Sequence, residues 1–249
     1  MPIKFARRLT GRNRTARADR QLGFGLAFCA GAINAGGFLA VAQYTSHMTG
    51  IVSAMADNLV LGAFDLVWLG AGGLLSFLAG AVCSSVLVNL ARKRKLHSEY
   101  ALPLLLEALL LLIFGALGAR LAEVRGLFVP VTVVLLCFIM GLQNAVMTKL
   151  SGAAIRTTHI TGVVTDIGIE LGRLFVHSNQ FSSAHLGNLF GLVVAFFSGA
   201  VLGALGFKHI GFASTIPLAL VLIYLAGVPA MDDLLSTIRG WYLRSRGGR

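Results

Sequence analysis

Apolar and polar positions along this chain fall in blocks. Six long apolar blocks lie at roughly residues 22–44, 66–90, 100–119, 127–148, 186–206 and 212–230. Each approaches the ~20 residues an α-helix needs to cross ~30 Å of hydrocarbon. Two shorter apolar blocks, 48–64 and 160–176, carry charge: Asp57 in the first, and Asp166, Glu170 and Arg173 in the second. Read as full spans, they bring the count to eight. Read as re-entrant half-helices, they leave it at six.

Charge in the connectors decides between the two counts. Lys4, Arg7, Arg8, Arg12, Arg14, Arg17 and Arg20 precede the first block, which puts the N-terminal arm on the cytoplasmic side. With six spans, the run Arg92-Lys93-Arg94-Lys95 also faces inward, together with Lys149, Arg156, Arg173 and the C-terminal arginines. With eight, that run faces outward, against the positive-inside rule. Six spans with both termini inside is therefore the expected topology. Trp68 and the pair Trp241-Tyr242 fall near the predicted interfaces, where amphipathic rings sit.

Composition agrees with this reading. Charged residues make up 12% of the chain and hydrophobic residues 56%, with a mean hydropathy of +0.81. The formal net charge of +11 sits at the termini and in a few loops. It is read as membrane topology and attraction to anionic headgroups, so no nucleic-acid partner is expected. The Arg-rich start followed by an apolar run resembles a signal peptide. The run extends to about Tyr44 and further spans follow, so a first membrane helix is expected instead. Cys29, Cys83 and Cys137 lie inside apolar blocks without metal-type spacing and read as small core residues.

The chain also repeats itself. Thr45, His47, Thr49, Gly50 and Val52 match Thr157, His159, Thr161, Gly162 and Val164. Upstream, Gly31, Asn34 and Ala35 match Gly141, Asn144 and Ala145. Downstream, small residues every fourth position recur: Gly72, Ser76, Gly80 and Ser84 against Gly191, Ala195, Gly199 and Gly203. That spacing lines one helix face and suits close packing in lipid. Pro103 matches Pro217. Three spans per copy is an odd number, so the second copy enters the membrane from the opposite side. The fold class expected is an all-α integral membrane protein with six transmembrane helices as two inverted 3+3 repeats, each with a re-entrant half-helix. The divisions are a basic cytoplasmic arm (1–20), repeat 1 (21–125), repeat 2 (126–231) and a basic cytoplasmic tail (232–249) that lies along the membrane surface or is frayed.

The candidate site follows from the repeat. Thr49 and Thr161 read as N-caps of the short segments, with Gly50 and Gly162 beside them. Two-fold symmetry in the membrane plane brings both N-termini toward the midplane, where their partial positive charge favours an anion or an electronegative group. His47 and His159 add titratable donors, Arg156 adds a fixed cation, and Asn34 and Asn144 add hydrogen-bonding groups. Asp57, Glu107, Asp166 and Glu170 are candidates for ion or proton coupling. Simpler readings stand beside these. The histidines and asparagines bond neighbouring helices, the Thr-Gly pairs only cap, Glu107 pairs with Arg94 or Lys95 at the cytoplasmic interface, and Glu170 pairs locally with Arg173. No metal site and no cofactor are expected.

The two Asn-Ala elements, the paired His-x-Thr-Gly motifs and the run Met140-Gly141-Leu142-Gln143-Asn144-Ala145 resemble the YoaK-like family of bacterial membrane proteins. The resemblance covers roughly residues 20–232 and is most specific from Met140 to Gly162. Asn34 stands where the family pattern has an acidic residue, and Ile51 where it has Asn. The resemblance implies a bacterial inner-membrane location and supplies no substrate.

Three functions are consistent with these features. The first is a transporter or channel for a small, anionic or electronegative solute. The second is a membrane scaffold or sensor, for which a homo-oligomer is a natural partner. The third, an intramembrane enzyme, is not expected, since no Gly-x-Ser-x-Gly elbow, His-Glu-x-x-His or dinucleotide fingerprint occurs. A membrane-depth cavity lined by both Thr-Gly motifs would favour transport over a scaffold.

Overall fold

The structure is a computed structural model that describes residues 15–94, 96, 98–121, 125–150, 158–176 and 181–246. Among the described residues eight α-helices follow one another: α1 (Ala16–Val41), α2 (Met48–Val60), α3 (Phe64–Lys93), α4 (Ala101–Leu121), α5 (Arg125–Leu150), α6 (Ile160–Val176), α7 (Ser183–Ile210) and α8 (Thr215–Arg246). A 3-10 turn, Gly211–Ser214, joins α7 to α8. No strand occurs among the described residues.

Local chemistry sets several boundaries. Thr15 caps α1, its hydroxyl accepting from the Ala18 N–H at 3.3 Å. At the other end Ala42 adopts a left-handed conformation (φ 55°), and its N–H donates to the Phe38 carbonyl. The chain thereby turns back toward α2. Ser182 caps α7 by accepting from the His185 N–H at 3.2 Å. Pro103 and Pro217 are each the third residue of their helix, where a missing N–H costs nothing. Among the described residues four stretches are long and apolar enough to cross a membrane: Ala16–Val41, Phe64–Lys93, Val129–Leu150 and Ser183–Val228. The last contains α7, the turn and the start of α8. Ala101–Ala116 is a shorter apolar helix.

Named contacts fix how the helices run. Arg20 bonds Asn188, and at the other end Gly36 faces Phe207, so α1 and α7 are parallel. Gly73 faces Val133 and Cys137, and Lys149 reaches Asn89, so α3 and α5 are parallel. Ser98 bonds Asp233 and Thr215 bonds the Leu111 carbonyl, so α4 and α8 are antiparallel. Tyr100 bonds the Lys149 carbonyl and Glu107 meets Gln143, so α4 and α5 are antiparallel too. Cys29 faces Glu107 and Gly36 lies by Phe114, so α1 runs parallel to α4, and the six long helices alternate in direction along the chain.

The closest approaches occur in matched pairs. A Cβ on Gly31 would overlap the Phe196 carbonyl, and one on Gly141 would overlap that of Phe77. A Cβ on Gly80 would overlap the Phe138 carbonyl, and one on Gly199 that of Phe28. Gly31 and Gly141 are repeat equivalents, as are Gly80 and Gly199, Phe77 and Phe196, and Phe28 and Phe138. The first long helix of each half thus packs on the second long helix of the other half through glycine, backbone against backbone. In lipid, where apolar burial supplies little force between helices, such contact is the main source of association. The small-residue stripes at Gly72–Ser84 and Gly191–Gly203 are this packing surface. Ser76 adds a hydrogen bond to the Val134 carbonyl at 2.6 Å.

Beyond residue 231 the backbone stays helical as far as Arg246. The tail to that point continues α8, with no break at the expected boundary.

Candidate functional site

The loops before α2 and α6 are built alike. Asn34 on α1 accepts from both the backbone N–H (3.2 Å) and the hydroxyl (2.9 Å) of Ser46. Asn144 on α5 accepts from the Thr158 hydroxyl at 2.5 Å, and its amide donates to the Met140 carbonyl at 2.7 Å. Ser46 and Thr158 are equivalent positions, each immediately before its histidine. Each asparagine therefore ties the end of a long helix to the loop that starts the short one.

The next three residues explain the His-x-Thr-Gly spacing. His47 precedes the first residue of α2, and His159 the first of α6. Each imidazole folds over the first helical turn and occupies the space a Cβ would take at Gly50 or Gly162. The glycine is there because the ring lies against its Cα. This corrects one expectation. Thr49 and Thr161 are not N-caps, because both helices begin one residue before them. His47 is at the cap position and makes no side-chain capping bond. Thr161 lies inside its helix, and its carbonyl accepts from Thr165 at 2.9 Å.

Beside the first motif is an open cavity of about 290 Å³. His47, Gly50, Gln43 and Asn58 supply its polar lining, and Phe38 and Leu69 are among its apolar walls. Its described lining residues all belong to the first half. His159, Thr161, Gly162 and Asn144 do not line it, so this cavity does not join the two motifs. Tyr44 stacks on Phe38 with centroids 4.5 Å apart. Arg156, its counterpart, lies outside the described residues.

The acidic candidates separate. Asp57 and Asp166 are exposed on α2 and α6. Glu170 is buried and holds the turn between α6 and α7, accepting from the Ser182 N–H at 2.6 Å and from Arg173 at 2.8 Å. The Ser182 N–H first, and the Arg173 guanidinium second, hold its carboxyl below the usual carboxylate range. The local-pair reading of Glu170 and Arg173 is what the geometry gives.

Glu107 differs from its expected interfacial pairing. It is fully buried between α4 and α5, and its partner is Gln143, which donates at 2.8 Å. Gln143 was part of the specific Met140–Ala145 run, yet nothing in one helix's pattern says which helix its side chain faces. Arg92, by contrast, binds Glu99 and Tyr100 at the polar end of the bundle, both at 2.8 Å. Among the described residues, no three of His, Cys, Asp or Glu gather as metal ligands.

An all-helical bundle with apolar faces of membrane-spanning length, closed by glycine-to-backbone contacts, defines a polytopic membrane protein. The chain belongs to the family described as "Protein of unknown function (DUF1275)", whose sequence profile matches residues 22–228. It is similar to the UPF0700 transmembrane protein YoaK of Bacillus subtilis (strain 168), with 28% identity over 154 residues. That match covers 60% of this chain and 66% of the relative. No solved structure matches.

Proposed function

We propose that the chain crosses a bacterial inner membrane six times as two inverted repeats of three, with both termini cytoplasmic, and that it carries a small solute with an anionic or electronegative group. The observation that carries this reading is the reciprocal packing. The first long helix of each half lies parallel to the second long helix of the other, and the six long helices alternate in direction. Two interlocked halves of opposite orientation are the plan on which rocking carriers are built. In this reading α2 and α6 are re-entrant half-helices that start within the bundle and run toward opposite faces. Each presents free N–H groups, a histidine and a glycine at its start, which suits an electronegative group. The fold analogy by itself does not fix function.

Purified protein reconstituted in liposomes tests this. Uptake of an organic anion or polar solute from a broad panel, lost in the His47→Ala/His159→Ala double variant, is the expected result. No flux for any solute, with the protein shown to be folded, would count against it.

A non-transporting scaffold or sensor is the second reading. It is favoured by the cavity's confinement to the first half and by the local structural work of Asn34 and Asn144. Neither reading involves catalysis, a cofactor or a metal.

A further inference from the structure

We propose that Glu107 and Gln143 form a proton-binding site at the centre of the bundle, with Glu107 held as the neutral acid in this closed arrangement. Both side chains are fully buried. Gln143 Nε2 donates to Glu107 Oε1 at 2.8 Å, while Glu107 Oε2 and Gln143 Oε1 have no partner. The other unpartnered buried side-chain atoms among the described residues are single ones, on Gln21, Thr45 and Ser84. Only here do two belong to one bonded pair, and both are acceptors. A carboxylate leaves both unsatisfied inside an apolar core, which is costly. One proton on Oε2 changes that: a carboxylic acid is a donor, and the open amide oxygen of Gln143 is the acceptor we assign to it. The pair then closes as a two-bond ring with no net charge.

Among the described residues no charged group faces Glu107. From α1 the titratable group facing Glu107 is the Cys29 thiol. From α5 the facing group is the neutral amide of Gln143, which does not titrate. On α8 the buried residues at this level are Ala219 and Leu222. On α3 and α8, Arg92 binds Glu99 and Asp233 binds Ser98 at the polar end, and Asp65 lies in the first turn of α3 at the opposite end. Glu107 is seven residues inside Tyr100, or about 10 Å along the helix. The sequence equivalents of Glu107 and Gln143 are Val221 and Ile33, and Val221 is exposed where Glu107 is buried, so the second half has no counterpart of this pair.

Separation of α4 and α5 admits water and hydrates the carboxylate, and the proton leaves to that water. Re-closure requires its return. If the chain is a carrier, this makes the proton its coupling ion. That last step rests on the transport reading, whereas the proton site does not.

Infrared spectroscopy of the full-length protein in liposomes at neutral pH tests the site. The expected spectrum contains a protonated-carboxyl C=O band that shifts in D2O and is absent from Glu107→Gln. That variant supplies a donor and an acceptor in the positions of the neutral acid, so it folds, and its melting temperature matches the parent's. Gln143→Leu removes the ring partner and moves the band to higher frequency, toward a free acid. Identical spectra for parent and Glu107→Gln in the protonated-carboxyl region would overturn the proposal, whatever a solute-flux assay shows. A band unmoved by Gln143→Leu would overturn the pairing.

Discussion

Gly80 and Gly199 lie where a methyl group would overlap a carbonyl oxygen of the helix beside them, that of Phe138 or Phe28. Gly25 is also helical but has open space where its Cβ would be. The contrast gives an internally controlled prediction. Gly80→Ala or Gly199→Ala forces two backbones apart and should destabilise by about 1–3 kcal/mol. Gly25→Ala should be neutral or stabilising by up to about 1 kcal/mol, since alanine is the better helix former. Thermal unfolding in detergent reads all three, and equal effects would refute the close-contact account. A second prediction concerns the histidine motif. Gly50→Ala places a methyl group inside the space of the His47 ring, so it should destabilise the parent and be tolerated when His47→Ala has removed the ring. A double-mutant cycle should return a coupling of about 0.5–3 kcal/mol. Additive effects would show that the ring does not rest on that glycine. The equal spacing of the two motifs was plain in the sequence. That glycine follows histidine because the imidazole covers it is a three-dimensional fact, and the cap assignment to Thr49 missed it for that reason.

Short helices and their loops depend on a few bonds that cross between elements. Asn34 holds the N–H of Ser46, and its replacement by Ala should leave that donor unpaired at a cost of about 1–3 kcal/mol. Asn34→Asp keeps the acceptor and should retain the fold. The turn between α6 and α7 depends on Glu170, whose carboxyl is depressed by the Ser182 N–H and by Arg173. A group with a lowered folded value contributes stability that is present above the ordinary carboxylate range. It is lost as pH falls through the folded value. Hydrogen exchange at the Ser182 amide, corrected for intrinsic rate, should therefore accelerate on acidification. Glu170→Gln should remove that pH dependence, and an unchanged acid response in the variant would contradict the assignment. Element existence was legible from apolar blocks: the eight blocks expected from the pattern are the eight helices of the described residues, with ends differing by a few residues except in the tail. The partners of Asn34, Asn144 and Glu107 were not legible. Each bond joins residues 12 to 36 positions apart, and helical periodicity says only which face a residue occupies, not what lies opposite.

For the molecule as a whole, the repeat was readable because matched motifs occur in one order. The sequence did not reveal that the halves interlock, each first long helix packing against the other half. That arrangement is carried by backbone carbonyls, which have no sequence signature, meeting glycines that do. A consequence for topology follows. If the halves are inverted in the bilayer, the ends of α2 and α6 lie on opposite sides of it. Leu61, which caps α2, and Val176, the last residue of α6, are 78% and 74% exposed, so either tolerates a reporter. The decisive measurement places a single cysteine at Leu61 or at Val176 in intact cells and in inside-out vesicles. Cys83 is replaced by Ala, and the buried Cys29 and Cys137 are left in place. A membrane-impermeant thiol reagent should label Leu61→Cys only from the outer face and Val176→Cys only from the cytoplasmic face. Labelling of both from the same face would contradict the inverted arrangement, and the carrier reading with it.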